Sequence, residues 1–184
     1  KIVGFNAHIT VKPYENKIEI EKLKKSNLNL ISKELVLSNS GEAIIMKNNT
    51  SKGLILRGYS SKDFSKLEMI NSKTLMGDKN NLNKNFISIG KELSFTLGLN
   101  IGENISIMSS SGVETIIGNL PKQKTFTVLS IFESGLADFD NNIAFINLDT
   151  LDEFFDLKKE ERNLEIYLKN PQNIETQKKI VQKI

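Results

Sequence analysis

No cysteine occurs among the 184 residues, so disulfides, thiol nucleophiles and thiolate-bound metals are all excluded. A single histidine, His8, rules out any metal site built from two or three imidazoles of one chain. Tryptophan is absent and proline occurs only three times. No apolar run approaches the roughly 20 residues that cross a bilayer. The chain opens on Lys1 rather than Met and is expected to be an excised fragment that carries no signal peptide. Any membrane-spanning segments of the longer protein would lie outside these boundaries. Charge of one sign is lacking too. Basic residues number 25 and acidic residues 22, for a formal net charge of +3. The lysines are dispersed and not interleaved with aromatics, which argues against a nucleic-acid partner.

What is present is a chain of short strand and helix signals. Residues 5–12 are rich in β-branched side chains and predict a strand that Pro13 ends. Asn16 is placed to cap a helix through about Lys25. Residues 31–37, 42–47 and 53–58 predict three strands. Polar turns at 38–41 and 48–51 would join them into an antiparallel meander. Residues 61–85 are polar and irregular, with a loop expected over 77–81. A short strand at 87–89 precedes a helix over 91–97, and Gly98 stands where a left-handed cap is wanted. Residues 105–108 predict a strand, and 109–124 a polar loop with an apolar tip. Strands follow at 126–132 and 143–146. Asp149, with Asp152 three residues on, predicts a capped helix through about Leu157. A strand at 164–168 leads to a last helix opened by Pro171.

Strand and helix signals at both ends, around a β-rich middle, predict an α+β fold. A split β-α-β subdomain, 1–61 with 158–184, would hold an inserted β-rich subdomain, 62–157.

The catalytic candidates are weak. His8 has no second ligand within reach in the sequence and reads as structural. Asp138, Asp140, Asp149, Asp152, Glu153 and Asp156 lack the spacing of a metal-binding loop and read as caps or solvated charges. Ser109-Ser110-Ser111-Gly112 is no nucleophile elbow. Gly98, Gly102 and Gly118 match neither a phosphate loop nor a dinucleotide fingerprint. The chain is therefore expected to be a non-catalytic domain with no metal and no cofactor. Residues 113–124 stand apart, because Ile116, Ile117 and Leu120 are apolar residues in a segment that also holds Gly118 and Pro121. An exposed apolar tip above Lys122 and Lys124 suits docking to an acidic partner. The alternative, a hairpin folded back onto the core, stays open at this point.

Thr115-Ile116-Ile117-Gly118-Asn119-Leu120-Pro121, then Phe126-Thr127-Val128, form an ordered series. Phe132-Glu133-Ser134-Gly135 and Phe139-Asp140 continue it, and Ala144-Phe145-Ile146 completes it. The series resembles the extracytoplasmic domain of lipoprotein-releasing ABC transporter permeases of the LolC/LolE/LolF type. Asn6-Ala7-His8-Ile9, Ile89-Gly90-Lys91-Glu92-Leu93 and Leu97-Gly98-Leu99 extend the resemblance along most of the chain.

The resemblance implies a MacB-like periplasmic core with a Porter-like subdomain and an inserted Sabre-like subdomain. It implies a place on the periplasmic side of the bacterial inner membrane. The partners implied are lipoproteins, the periplasmic chaperone LolA, a second permease subunit or copy, and a separate cytoplasmic subunit that hydrolyses ATP. The implied hook for LolA is Thr115, Ile116, Ile117, Gly118, Asn119, Leu120 and Pro121, within a loop of about 109–124. The implied pad is Gln123 and Lys124. Two departures stand out: Lys124 takes the place of a pad arginine, and Ile116 that of a proline common in hooks. An efflux or mechanotransmission permease of MacB type, and an extracytoplasmic ligand-binding sensor, are the competing expectations.

Overall fold

A computed structural model describes residues 6–13, 28–68, 70, 74–116 and 118–181. The helix expected over 16–25 lies outside the described residues. The fold is α+β, as expected. In chain order the elements are β1 (Ile9–Val11), α1 (Leu28–Ile31), β2 (Ser32–Lys47), β3 (Thr50–Tyr59), α2 (Ser61–Phe64) and β4 (Thr74–Gly77). Then come β5 (Phe86–Gly90), α3 (Lys91–Leu97), β6 (Asn104–Thr115), β7 (Gly118–Phe132) and α4 (Ala137–Asn142). The series ends with β8 (Ile143–Asn147), α5 (Leu148–Phe155), β9 (Asn163–Leu168) and α6 (Ile174–Val181).

The chain divides into two compact units, Lys1–Ser38 with Lys158–Ile184, and Asn39–Leu157. Composition placed the first division at 61/62, but it falls at 38/39. Residues 39–59 belong to the second unit because their strands pair there with β6 and β8.

In the first unit β9 lies between β1 and the start of β2, antiparallel to both. Alternation along β9 sends Leu164, Ile166 and Leu168 into a small core with Leu28. Glu165 points the other way and is buried, accepting hydrogen bonds from the Ser38 hydroxyl (2.6 Å) and the Tyr167 hydroxyl (2.9 Å). His8 has a structural contact, its Nδ1 accepting the backbone N–H of Leu168 at 3.0 Å.

The expected meander is corrected. Residues 32–47 form one continuous strand, with no turn at 38–41. The polar residues that resemble a turn are satisfied sideways instead. Ser38 donates to Glu165, and the Asn39 amide reaches Asp152 at 3.4 Å. Only the second turn exists, with Asn48 at φ 52 leading into β3.

In the second unit the pairings close on themselves. β2 pairs with β3, β3 with β8, β8 with β5, β5 with β7, β7 with β6, and β6 again with β2. A ring of six strands results, with side chains alternating between its inside and outside. Ile45, Leu56, Ile87, Ile107, Phe126 and Ile146 belong to its core, as do Leu93 and Leu97 of α3 and Leu151 and Phe154 of α5. Gly98 ends α3 at φ 60, as its position predicts, a conformation that disfavours side chains bearing a Cβ. The cap of α5 differs from the expectation. Asn147, not Asp149, is the N-cap, its side chain accepting the N–H groups of Asp149 and Thr150.

Candidate docking site

The segment expected as a polar loop over 109–124 is a β-hairpin, because its two arms satisfy each other's backbone groups across the strand pair. β6 and β7 pair from Asn104↔Thr127 to Thr115↔Gly118. β6 pairs with β2 only from Ser106 to Ser109. Beyond Ser109, among the described residues, the hairpin pairs only with itself. Along β7 from Lys122 to Gly118 this ribbon reaches roughly 13 Å, at about 3.3 Å per residue.

Among the described residues of the tip, the apolar side chains are not folded back onto the core. Ile116 is fully exposed (107%) and Leu120 half exposed (51%). Gly118 has φ 116, a backbone conformation that side-chain-bearing residues rarely adopt, and it closes the turn. Asn119 pairs with Glu114 and Pro121 with Gly112, while Ile117 lies outside the described residues. Proline has no N–H to give the ladder, and a ribbon that pairs only with itself tolerates that loss.

The base of the ribbon is irregular in a defined way. Met108 faces Gln123, but Gly112 faces Pro121, so β6 carries two extra residues between these pairs. The bulge lies at Ser109–Ser111. Ser109 is buried there, and its Oγ accepts the Lys122 backbone N–H at 3.2 Å.

The expected pad residues do not share a face. Along β7, Phe126, Lys124 and Lys122 alternate to one side, and Gln123 and Thr125 to the other. Gln123 is exposed. The Lys124 ammonium sits 5.8 Å from the centre of the buried Phe126 ring.

Sequence reasoning gave Lys122 only a share, with Lys124, in steering an acidic partner, and did not foresee its contacts within the fold. Its ammonium donates to the Glu153 carbonyl at 3.3 Å, on the last turn of α5, and pairs with the Asp156 carboxylate. Asp156 is the left-handed C-cap of that helix, at φ 55. The available signal was the period-two alternation running back from Phe126.

Two further charged pairs lie in the second unit, one of them at the foot of the hairpin. Glu103 accepts the Asn100 N–H at 2.8 Å and pairs with Lys47 at 3.3 Å. The backbone hydrogen bond, aided by Lys47, holds the Glu103 carboxyl below its ordinary range. Lys91 is held above the ordinary lysine range by its hydrogen bond to Glu133 at 2.8 Å. Among the described residues no group of three or more metal-ligating side chains is assembled, and no helix is long and apolar enough to cross a membrane.

The fold can be placed among solved structures. The periplasmic region of MacB from Actinobacillus actinomycetemcomitans superposes with a TM-score of 0.54 at 12% identity, covering 95% of this chain and 73% of that one. The extracellular domain of the noncanonic ABC-type transporter YknZ from Gram-positive bacteria gives 0.54 at 14% identity, covering 91% and 88%. The fold is MacB-like.

Sequence comparison refines the relationship. The chain is 26% identical over 109 residues to the lipoprotein-releasing system transmembrane protein LolC of Xylella fastidiosa strain Temecula1, covering 58% of this chain and 26% of that protein. It is 26% identical over 145 residues to LolC of Neisseria meningitidis serogroup B, covering 78% and 33%. The chain thus spans about a quarter to a third of the LolC proteins it matches. No family model matches it.

Proposed function

We propose that this chain is the periplasmic domain of an ABC transporter permease that releases lipoproteins from the inner membrane. It passes them to the chaperone LolA, which docks on the β6–β7 hairpin. On this reading the first compact unit is the Porter-like subdomain and the second the Sabre-like one. ATP hydrolysis belongs to a separate cytoplasmic subunit, and a second permease subunit or copy completes the membrane part.

The observation that carries the reading is the projecting ribbon with Ile116 fully exposed at its tip. An isolated apolar side chain held away from the core contributes little to folding, and it is suited to entering a pocket on a partner. The likeness to LolC supports the choice of partner. The test is binding of the chain to its cognate LolA by calorimetry. Ile116→Asp and Leu120→Asp should each weaken binding about tenfold or more, the loss typical of a buried anchor. Unchanged binding by both variants would reject the hook.

A second reading follows from the fold likeness to MacB and YknZ, namely a domain that transmits motion in an efflux-type permease without a lipoprotein chaperone. It requires that LolA not bind at all. It also requires that depletion of the parent protein leave lipoproteins correctly sorted.

A further inference from the structure

Three features meet at one level of the β6–β7 hairpin. β2 stops pairing with β6 at Ala43↔Ser109. The bulge begins at Ser109, whose hydroxyl takes the Lys122 N–H. The Lys122 side chain then crosses to α5, where it meets the Glu153 carbonyl and the Asp156 carboxylate. Below this level the strands are fixed by the ring, and above it, among the described residues, the ribbon pairs only with itself.

We infer that Lys122 is the positioning residue of the hook. It ties the base of the ribbon to the C-terminal end of α5 and sets the direction in which Ile116 is presented. This rests on the docking role proposed above, but its geometry is independent of the partner. The chemistry is suited to the task. A helix C-terminus leaves carbonyls unpaired and carries partial negative charge, and an ammonium satisfies both. The Asp156 carboxylate adds full charge, from a residue whose left-handed conformation turns the chain out of the helix. Lys122 is only partly exposed (25%) but Asp156 is largely exposed (71%), so solvent screens the ion pair and the tether is a modest one.

Without the tether, the strand pairs and the Ser109 hydrogen bond would still hold the base of the ribbon. A two-residue bulge is a natural pivot, because the extra residues interrupt the ladder. The tip would then sample a wider cone while the six-stranded ring stays folded. The cost to docking is the ordering that the tether otherwise supplies in advance.

The absence of native cysteine makes a direct test straightforward. Nitroxide labels at Ile116→Cys and at the exposed Asp149→Cys on α5 report the distance from tip to helix by pulsed electron paramagnetic resonance. Lys122→Met should broaden the distance distribution about twofold, and Asp156→Asn should broaden it less. Lys122→Arg, which keeps the charge and the donors, should restore the parent width. In the unlabelled chain, Lys122→Met should raise the Kd for LolA roughly two- to fivefold, the range of a partly exposed ion pair, and Lys122→Arg should not. A distribution unchanged by Lys122→Met overturns the inference, as does broadening without loss of affinity where Ile116→Asp does weaken LolA binding. If Ile116→Asp leaves LolA binding intact, the docking reading fails while the distance experiment still decides whether Lys122 holds the ribbon.

Discussion

Asn147 does two jobs with one side chain. Its Oδ1 accepts the N–H groups of Asp149 and Thr150, at 3.1 and 3.3 Å, and its Nδ2 donates to the Leu82 carbonyl at 3.2 Å. Asn147→Ala should therefore cost about 1 kcal/mol for the lost cap, with more for the Leu82 carbonyl, and lower Tm by roughly 2–4 °C per kcal/mol. Asn147→Asp keeps the acceptor and loses the donor, so its Tm should fall between the two. Glu103 gives a pH signature. Its carboxyl is held below the ordinary range by the Asn100 N–H and by Lys47. A depressed carboxylate stabilises the fold above its unfolded pKa, and that contribution is lost as pH falls through the folded value. The Tm gap between the parent and Glu103→Gln should therefore be open at neutral pH and close below about pH 4. A gap that persists in acid would mean that the charge of Glu103 is irrelevant.

The segment from Phe132 to Asp140 shows how a residue pattern becomes an element. Asp140 is buried, and both its carboxylate oxygens accept the Ser134 N–H, at 2.9 and 3.0 Å. The Phe132 and Phe139 rings meet edge to face at 6.2 Å. The spacing that carries the family resemblance is thus the spacing that folds the chain back into α4. Asp140→Ala should leave a backbone donor unpaired and cost about 1–3 kcal/mol, readable in a denaturant midpoint. The helix itself was not foreseen, because Ala137–Asn142 is short and polar, and its acidic residues read as solvated charge. The same limit explains Ser38-Asn39-Ser40-Gly41. Local composition favoured a turn, and distant partners made it a strand. Where local and long-range preferences agree, as in α3 with its Gly98 cap or β9 with its alternating leucines and isoleucine, element and position were both legible. The apolar tip of the hairpin was legible too. Its projection was not, because that depends on where β2 stops pairing.

At the scale of the whole molecule, stability and docking should come apart. Phe126 is 1% exposed inside the ring, whereas Ile116 at the end of the same hairpin is fully exposed. Phe126→Ala removes a large side chain from a packed core and should cost about 3–5 kcal/mol, lowering Tm by on the order of 10 °C. Ile116→Ser changes a fully exposed side chain and should leave stability within about 0.5 kcal/mol. The binding assay should show the reverse order. Ile116→Ser should lose affinity for LolA while unfolding like the parent. Phe126→Ala should bind nearly normally at low temperature, where the ring is still folded, and lose binding only as it melts. Parallel melting and binding curves for both variants would separate a domain built around a presented tip from one whose hairpin is merely part of the core. If Ile116→Ser destabilised the chain as much as Phe126→Ala, the tip would be packed in solution, and the docking role would have no free surface to rest on.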